Sequence, residues 1–96
     1  MTIKKLKPYL VFSTTRDIFF GWATDTGPRM TLKRARRIFS YPKHPLCGGP
    51  DALAIYGAFD GVKAGPETIE TIVESVANCV LSTKEAAESW SKKTSW

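Results

Sequence analysis

Between Arg29 and Tyr41 the chain reads Arg29-Met30-Thr31-Leu32-Lys33-Arg34-Ala35-Arg36-Arg37-Ile38-Phe39-Ser40-Tyr41, a strand-like run that carries five cations. Successive side chains of a strand point to opposite sides, so the apolar positions decide which cations can face a core. Met30 and Leu32 share one parity, whereas Ala35, Arg37, Phe39 and Tyr41 have the other. An unbroken strand would put Arg34 and Arg36 on the face of Met30 and Leu32. A bulge around Lys33-Arg34 would instead let Met30, Leu32, Ala35 and the later aromatic residues share a face. In both cases the two sides of the sheet receive different arginines. An arginine presents a planar fork of donors that matches phosphate, and a neighbouring ring offers a face for a base. The same pattern also describes the solvated side of a half-buried strand.

The segments before this run also read as strands. Pro8-Tyr9-Leu10-Val11-Phe12-Ser13 is apolar and aromatic, Thr14-Thr15-Arg16-Asp17 is a polar turn, and Asp17 to Thr24 forms a second aromatic strand. Gly21 within it marks a bulge or the close approach of another group. With Asp25-Thr26-Gly27-Pro28 as the next turn, the first 41 residues form a three-stranded antiparallel meander. A loop from Tyr41 to Gly49 leads to a short helix, with Pro50 at its first position, Asp51 at its positive end and Gly57 as its stop. The Gly48-Gly49-Pro50 entrance reads as an ordinary helix start or as a weak phosphate cradle. It lacks the lysine and the length of a nucleotide-binding loop.

Phe59 to Pro66 reads as a second flexible loop. Beyond it, Ile69, Ile72, Val73, Val76 and Val80 recur at helical spacing, while the β-branched residues of Thr68 to Val73 favour a strand. Ser82-Thr83-Lys84-Glu85 then starts a closing helix over Lys84 to Lys92, with Ser82 in a capping box or Thr83 as the cap, and with Ala86, Ala87 and Trp90 turned to the core. The expected architecture is one α+β domain over residues 1–96: an N-terminal antiparallel β-meander, a short central helix, further C-terminal strand or strands, and a closing C-terminal helix. Residues 1–7 read as a flexible segment and 93–96 as a frayed tail.

Charge is uneven along the chain. Ten basic residues up to Lys43 face only Asp17 and Asp25, whereas the remainder carries four lysines against seven carboxylates, for a net charge of +5. This asymmetry points to an anionic ligand or to self-association through complementary faces. Cys47, Cys79 and the single His44 provide too few soft ligands for a structural zinc site, and the Cys47/His44 spacing matches no nucleophile–base geometry, so both cysteines read as free thiols. No metal, cofactor or catalytic set is expected. The start of the chain has positive charges but no long apolar core or small-residue cleavage site, and the chain reads as cytoplasmic with no membrane segment.

Phe19-Phe20-Gly21-Trp22, then Leu32-Lys33-Arg34-Ala35-Arg36-Arg37-Ile38-Phe39-Ser40-Tyr41, then an Ala/Leu helix, and finally Val80-Leu81-Ser82-Thr83-Lys84-Glu85-Ala86 together resemble a group of small phage proteins over Tyr9 to Trp90. The best understood of these belong to the Thoeris anti-defence 1 family; an uncharacterised phage family with the same arginine-strand motif is also similar. The resemblance implies a strand reading for Thr68 to Leu81. It also implies a sponge: a protein that sequesters cyclic ADP-ribose isomers or cyclic oligonucleotide signals without cleaving them, as a homodimer or higher oligomer, in the cytoplasm of an infected bacterial host. On that implication Arg36 and Arg37 are candidates for the pyrophosphate, Phe39, Tyr41 or Phe59 for the adenine face, and Asn78 for the ring nitrogens. Each has a bland counterpart, the aromatics as core and Asn78 as a bend. Two other functions compete: a small basic nucleic-acid-binding protein that uses the arginine strand with Lys4, Lys5 and Lys7, and a protein inhibitor that docks on a host enzyme through the acidic second half.

Overall fold

The computed structural model describes residues 5–46 and 49–93. Six strands and two helices follow one another as β1 (Lys7–Ser13), β2 (Ile18–Ala23), β3 (Met30–Ser40), α1 (Asp51–Ile55), β4 (Lys63–Ala64), β5 (Thr68–Val73), β6 (Val76–Leu81) and α2 (Lys84–Lys92). All pairings are antiparallel, and the α+β class and the opening meander are both present. The sheet runs β4-β3-β2-β1-β6, with β5 also paired to β3. The long β3 therefore has two partners in succession along one edge, β5 against Met30 to Ala35 and β4 against Ile38 and Ser40.

Thr68 to Leu81 is extended, as β-branching favours, but it forms two strands on opposite edges of the sheet: β5 lies on β3 and β6 on β1. Only Glu74 and Ser75 join them, and the reach from Val73 to Val76 is at most about 11 Å. The edges must therefore curl towards each other. Two hydrogen bonds fasten the junction, Thr14 N–H to the Ser75 carbonyl (2.9 Å) and Val76 N–H to the Pro28 carbonyl (2.8 Å).

The curl creates an inner face with its own core of Val11, Ala23, Met30, Leu32, Ala35 and Val73. The outer face carries Leu10, Phe20 and Ile38, which α1 and α2 cover with Leu53, Ala54, Ala87 and Trp90. The bulge in β3 makes both cores possible. Phe20 and Trp22 of β2 pair with Arg36 and Lys33, so three steps of β3 oppose two of β2, and Arg34 absorbs the extra residue at φ 52°. Ala35 thereby joins Met30 and Leu32, as the bulged reading expects, and Arg36 turns to the helix face with Ile38; Tyr41, expected on the face of Ala35, packs against the helix-face core instead. Gly21 lies opposite this irregularity; a Cβ there would stand 2.7 Å from that of Leu32.

The helices are tied to each other through their ends. Asp51 opens α1, and Pro50, expected at the first helical position, stands one residue before it as the N-cap. Thr83, rather than Ser82, caps α2, its Oγ1 accepting from Ala86 N–H at 3.1 Å. Thr83 N–H and Oγ1 also donate to the Ala54 and Ile55 carbonyls, which satisfies acceptors at the end of α1. Gly57 takes φ 71° where the two helices meet, and a Cβ there would lie 2.7 Å from Ala86 Cα.

Three boundaries differ from the sequence expectation. The Phe59–Pro66 loop contains β4, because Lys63 and Ala64 find ladder partners on β3. Lys7 belongs to β1 and pairs with Ala23, so the ordered chain starts before Pro8. Lys93 is held rather than frayed: its carbonyl accepts from Arg36. Residues 1–4 and 94–96, Cys47, and Gly48 of the suggested phosphate cradle lie outside the described residues.

Candidate functional site

Arg36 is 3% exposed. Its Nε donates to the Gly65 carbonyl at 2.9 Å, and its Nη1 donates to the carbonyls of Trp90 (2.7 Å) and Lys93. Burial lowers its pKa, and the nearby Glu67 acts in the opposite direction. This guanidinium caps the last turn of α2 and fixes the β4–β5 connection to β3, with its Nε and Nη1 donors directed at backbone carbonyls.

The other cations of the arginine strand are also engaged. Arg29 pairs with Glu74 (3.1 Å), Lys33 with Glu70 (2.7 Å) and Arg34 with Glu67 (3.3 Å), so three glutamates on and beside β5 neutralise three cations on and beside β3. Arg37 meets Asp17 at 2.5 Å and lies 5.8 Å from the centre of the Phe39 ring. Arg37 and Phe39 are the two sequence candidates that come together, in a depression of about 240 Å³ on the inner face with Phe19, Thr68 and Thr71. The remaining candidates are dispersed. Tyr41 and Phe59 pack against the helix-face core, Phe59 with its ring edge-on to His44. Asn78 is exposed on β6 opposite Phe12.

A larger concavity lies where α2 departs from the sheet. It measures about 510 Å³ and is lined by Lys7 and Pro8 of β1, Trp22 of β2, Leu81 and Ser82 at the end of β6, and Lys84, Ala87, Glu88, Ser91 and Lys92 of α2. That volume is within the range of small-molecule sites. The local structure explains the lining. Pro8 and Trp22 are paired across β1 and β2. Residues 84, 87, 88, 91 and 92 fall on one stripe of a helix because they are spaced by three, four, seven and eight. Trp22 is set by an aromatic series in which its ring meets Phe20 edge-on at 6.4 Å and Phe20 stacks on Trp90 at 5.7 Å.

Among the described residues Lys7, Lys84, Lys92 and Glu88 make no salt bridge. The cleft thus joins an indole, a proline and aliphatic side chains to three ammonium groups outside any salt bridge and one carboxylate. Lysine stems can lie along the apolar wall while their charges remain free to meet an anion. Such a set can bind a molecule with a flat ring and phosphates. Sequence reasoning missed it because Lys7, Trp22, Lys84 and Lys92 are distant in the chain. The one available signal was the polar stripe of Lys84, Glu88 and Lys92, which is also the pattern of a solvated helix face.

Among the described residues no group of three or more His, Cys, Asp or Glu side chains is placed to hold a metal ion, and no helix is long and apolar enough to cross a membrane. Cys79 is a partly buried free thiol. Comparison with protein-family models, characterised proteins and solved structures returned no match.

Proposed function

We propose that this protein binds and sequesters a nucleotide-derived second messenger, a cyclic ADP-ribose isomer or a cyclic oligonucleotide, in the Trp22 cleft and does not cleave it. The observation that carries this reading is the contrast between the cations of β3, which are paired within the chain, and the lysines at the cleft, which are not. An apolar pocket of about 510 Å³ with an indole in its wall suits a base, and the surrounding ammonium groups suit phosphates. The biological setting comes from the resemblance of Tyr9 to Trp90 to the Thoeris anti-defence 1 proteins: a phage protein that acts against an immune signal in the host cytoplasm, as a homodimer or larger oligomer. The engagement of the β3 cations also weighs against nucleic acid as the main ligand, since a polyanion would have to compete with three glutamates and Asp17.

The test is to incubate the purified protein with cyclic ADP-ribose isomers and cyclic di- and trinucleotides, remove unbound ligand, denature the protein by heat and identify the released compounds by mass spectrometry. Sequestration predicts release of an intact signal. Altered products would replace this reading with an enzymatic one, and an empty result across the panel would refute it.

A further inference from the structure

Trp22 and Trp90 occupy the same face of the sheet, but their indole nitrogens differ. Trp90 Nε1 donates to the Leu53 carbonyl at 3.3 Å. Trp22 Nε1 is shut off from solvent and has no acceptor. An indole N–H can only donate, and a buried donor without a partner loses its hydration with nothing in return. The hydroxyls that line the cleft are directed elsewhere: Ser82 Oγ donates towards the Ala54 carbonyl at 3.3 Å, and Ser91 Oγ donates to Ala87 at 3.2 Å. The unsatisfied donor thus belongs to a residue in the wall of the cleft whose lysines are also without partners.

We infer that Trp22 Nε1 is a specificity-determining donor that takes an acceptor atom from the bound ligand. This inference rests on the functional reading above and narrows it. Three lysines around an apolar cleft suit a fatty acid as well as a nucleotide, because both combine an anion with an apolar body. A donor buried behind that wall, once a side-chain movement uncovers it, separates them. The hydrocarbon of a fatty acid offers it nothing, whereas a purine ring nitrogen, a base carbonyl or a ribose oxygen satisfies it. Bare phosphate anions gain from the lysines alone. The ligand class is therefore an anion whose ring portion carries acceptors. Seating it requires a side-chain adjustment at the cleft, of the kind that binding commonly brings.

The experiment uses ADP, inorganic pyrophosphate and decanoate as probes, with calorimetric titration and ¹H–¹⁵N spectra of the tryptophan indoles. The Trp22 signal is assigned in the wild-type protein through its nuclear Overhauser contacts with Phe20 and Pro8. The expected result is that ADP binds, shifts the Trp22 indole proton downfield, and loses affinity about tenfold in Trp22→Phe while pyrophosphate binding is unchanged. The spectrum of the wild-type protein keeps the test independent of how well the variant folds. If ADP binds, is weakened by Lys84→Ala, and leaves both the Trp22 signal and the Trp22→Phe affinity unaltered, the inference fails and the functional reading stands. Binding of decanoate without ADP, or of none of the three probes, would overturn both.

Discussion

On β3 and the residue before it, Arg29, Lys33, Arg34, Arg36 and Arg37 each have a partner within the chain, whereas around the Trp22 cleft Lys7, Lys84 and Lys92 form no salt bridge among the described residues. The first region is conspicuous in the sequence and electrostatically occupied. The second is scattered in the sequence and electrostatically open. The difference shows that local cation density does not measure how many cations are electrostatically available; the distribution of partners does. The asymmetry between a basic first half and an acidic second half, which admits self-association as an explanation, is met in part inside one molecule, where Glu67, Glu70 and Glu74 come to lie beside β3.

The largest expected effect is at the buried member of the first region. Arg36→Ala leaves the carbonyls of Gly65, Trp90 and Lys93 without their donor and should cost about 3 kcal/mol or more in urea unfolding, a fall in Tm on the order of 15 °C. A loss below about 1 kcal/mol would remove the structural role from this arginine and break the comparison. Next comes the open region. Lys84→Ala with Lys92→Ala should weaken binding of the identified signal about a hundredfold, while each substitution changes stability by less than about 0.5 kcal/mol. Unchanged affinity would place the ligand elsewhere.

Arg37→Ala is the discriminating control, because Arg37 is the exposed cation among the sequence candidates. With the site at the cleft, ligand affinity should change by less than about threefold in equilibrium titration. Abolished binding would transfer the site to the Arg37/Phe39 depression. The smallest effect is expected from the surface ladder. A double-mutant cycle of Lys33→Ala and Glu70→Ala should give a coupling of about 0.2–1 kcal/mol that declines with added salt. A coupling that persists in high salt would mean that the pair is more shielded than its exposure indicates.

Much of the fold was legible from local chemistry. The mismatch between Leu32 and Ala35 parity raises a bulge at Lys33-Arg34 as one of two readings, and Arg34 provides it. Thr83, Ala86, Ala87 and Trp90 define both the start and the buried side of α2. Legibility ended where tertiary partners decide. β4 is two residues long and exists through its pairing with β3. The break at Glu74-Ser75 has no glycine or proline to announce it, and its sharp change of edge follows from closure of the whole sheet. The site was harder still. Arg36 and Arg37 are neighbours in sequence, yet strand alternation sends one to a buried capping role and the other to an exposed ion pair. The cleft is assembled from β1, β2, β6 and α2, so no short window of sequence contains it.

The Glu74-Ser75 junction has a consequence for synthesis. As the chain leaves a ribosome, β1, β2 and β3 can pair early, but the strands that close the curl, β5 and β6, lie at residues 68–81, and Tyr9 must wait for Leu81. Until then the inner face, with Val11, Met30 and Leu32, has no second wall, and the outer face still lacks Trp90. Both sides of the nascent sheet are apolar during that interval, when strand edges are also open to neighbouring chains. The two-residue link that completes the native fold thus also sets the period in which the newborn chain most needs shielding from its own copies.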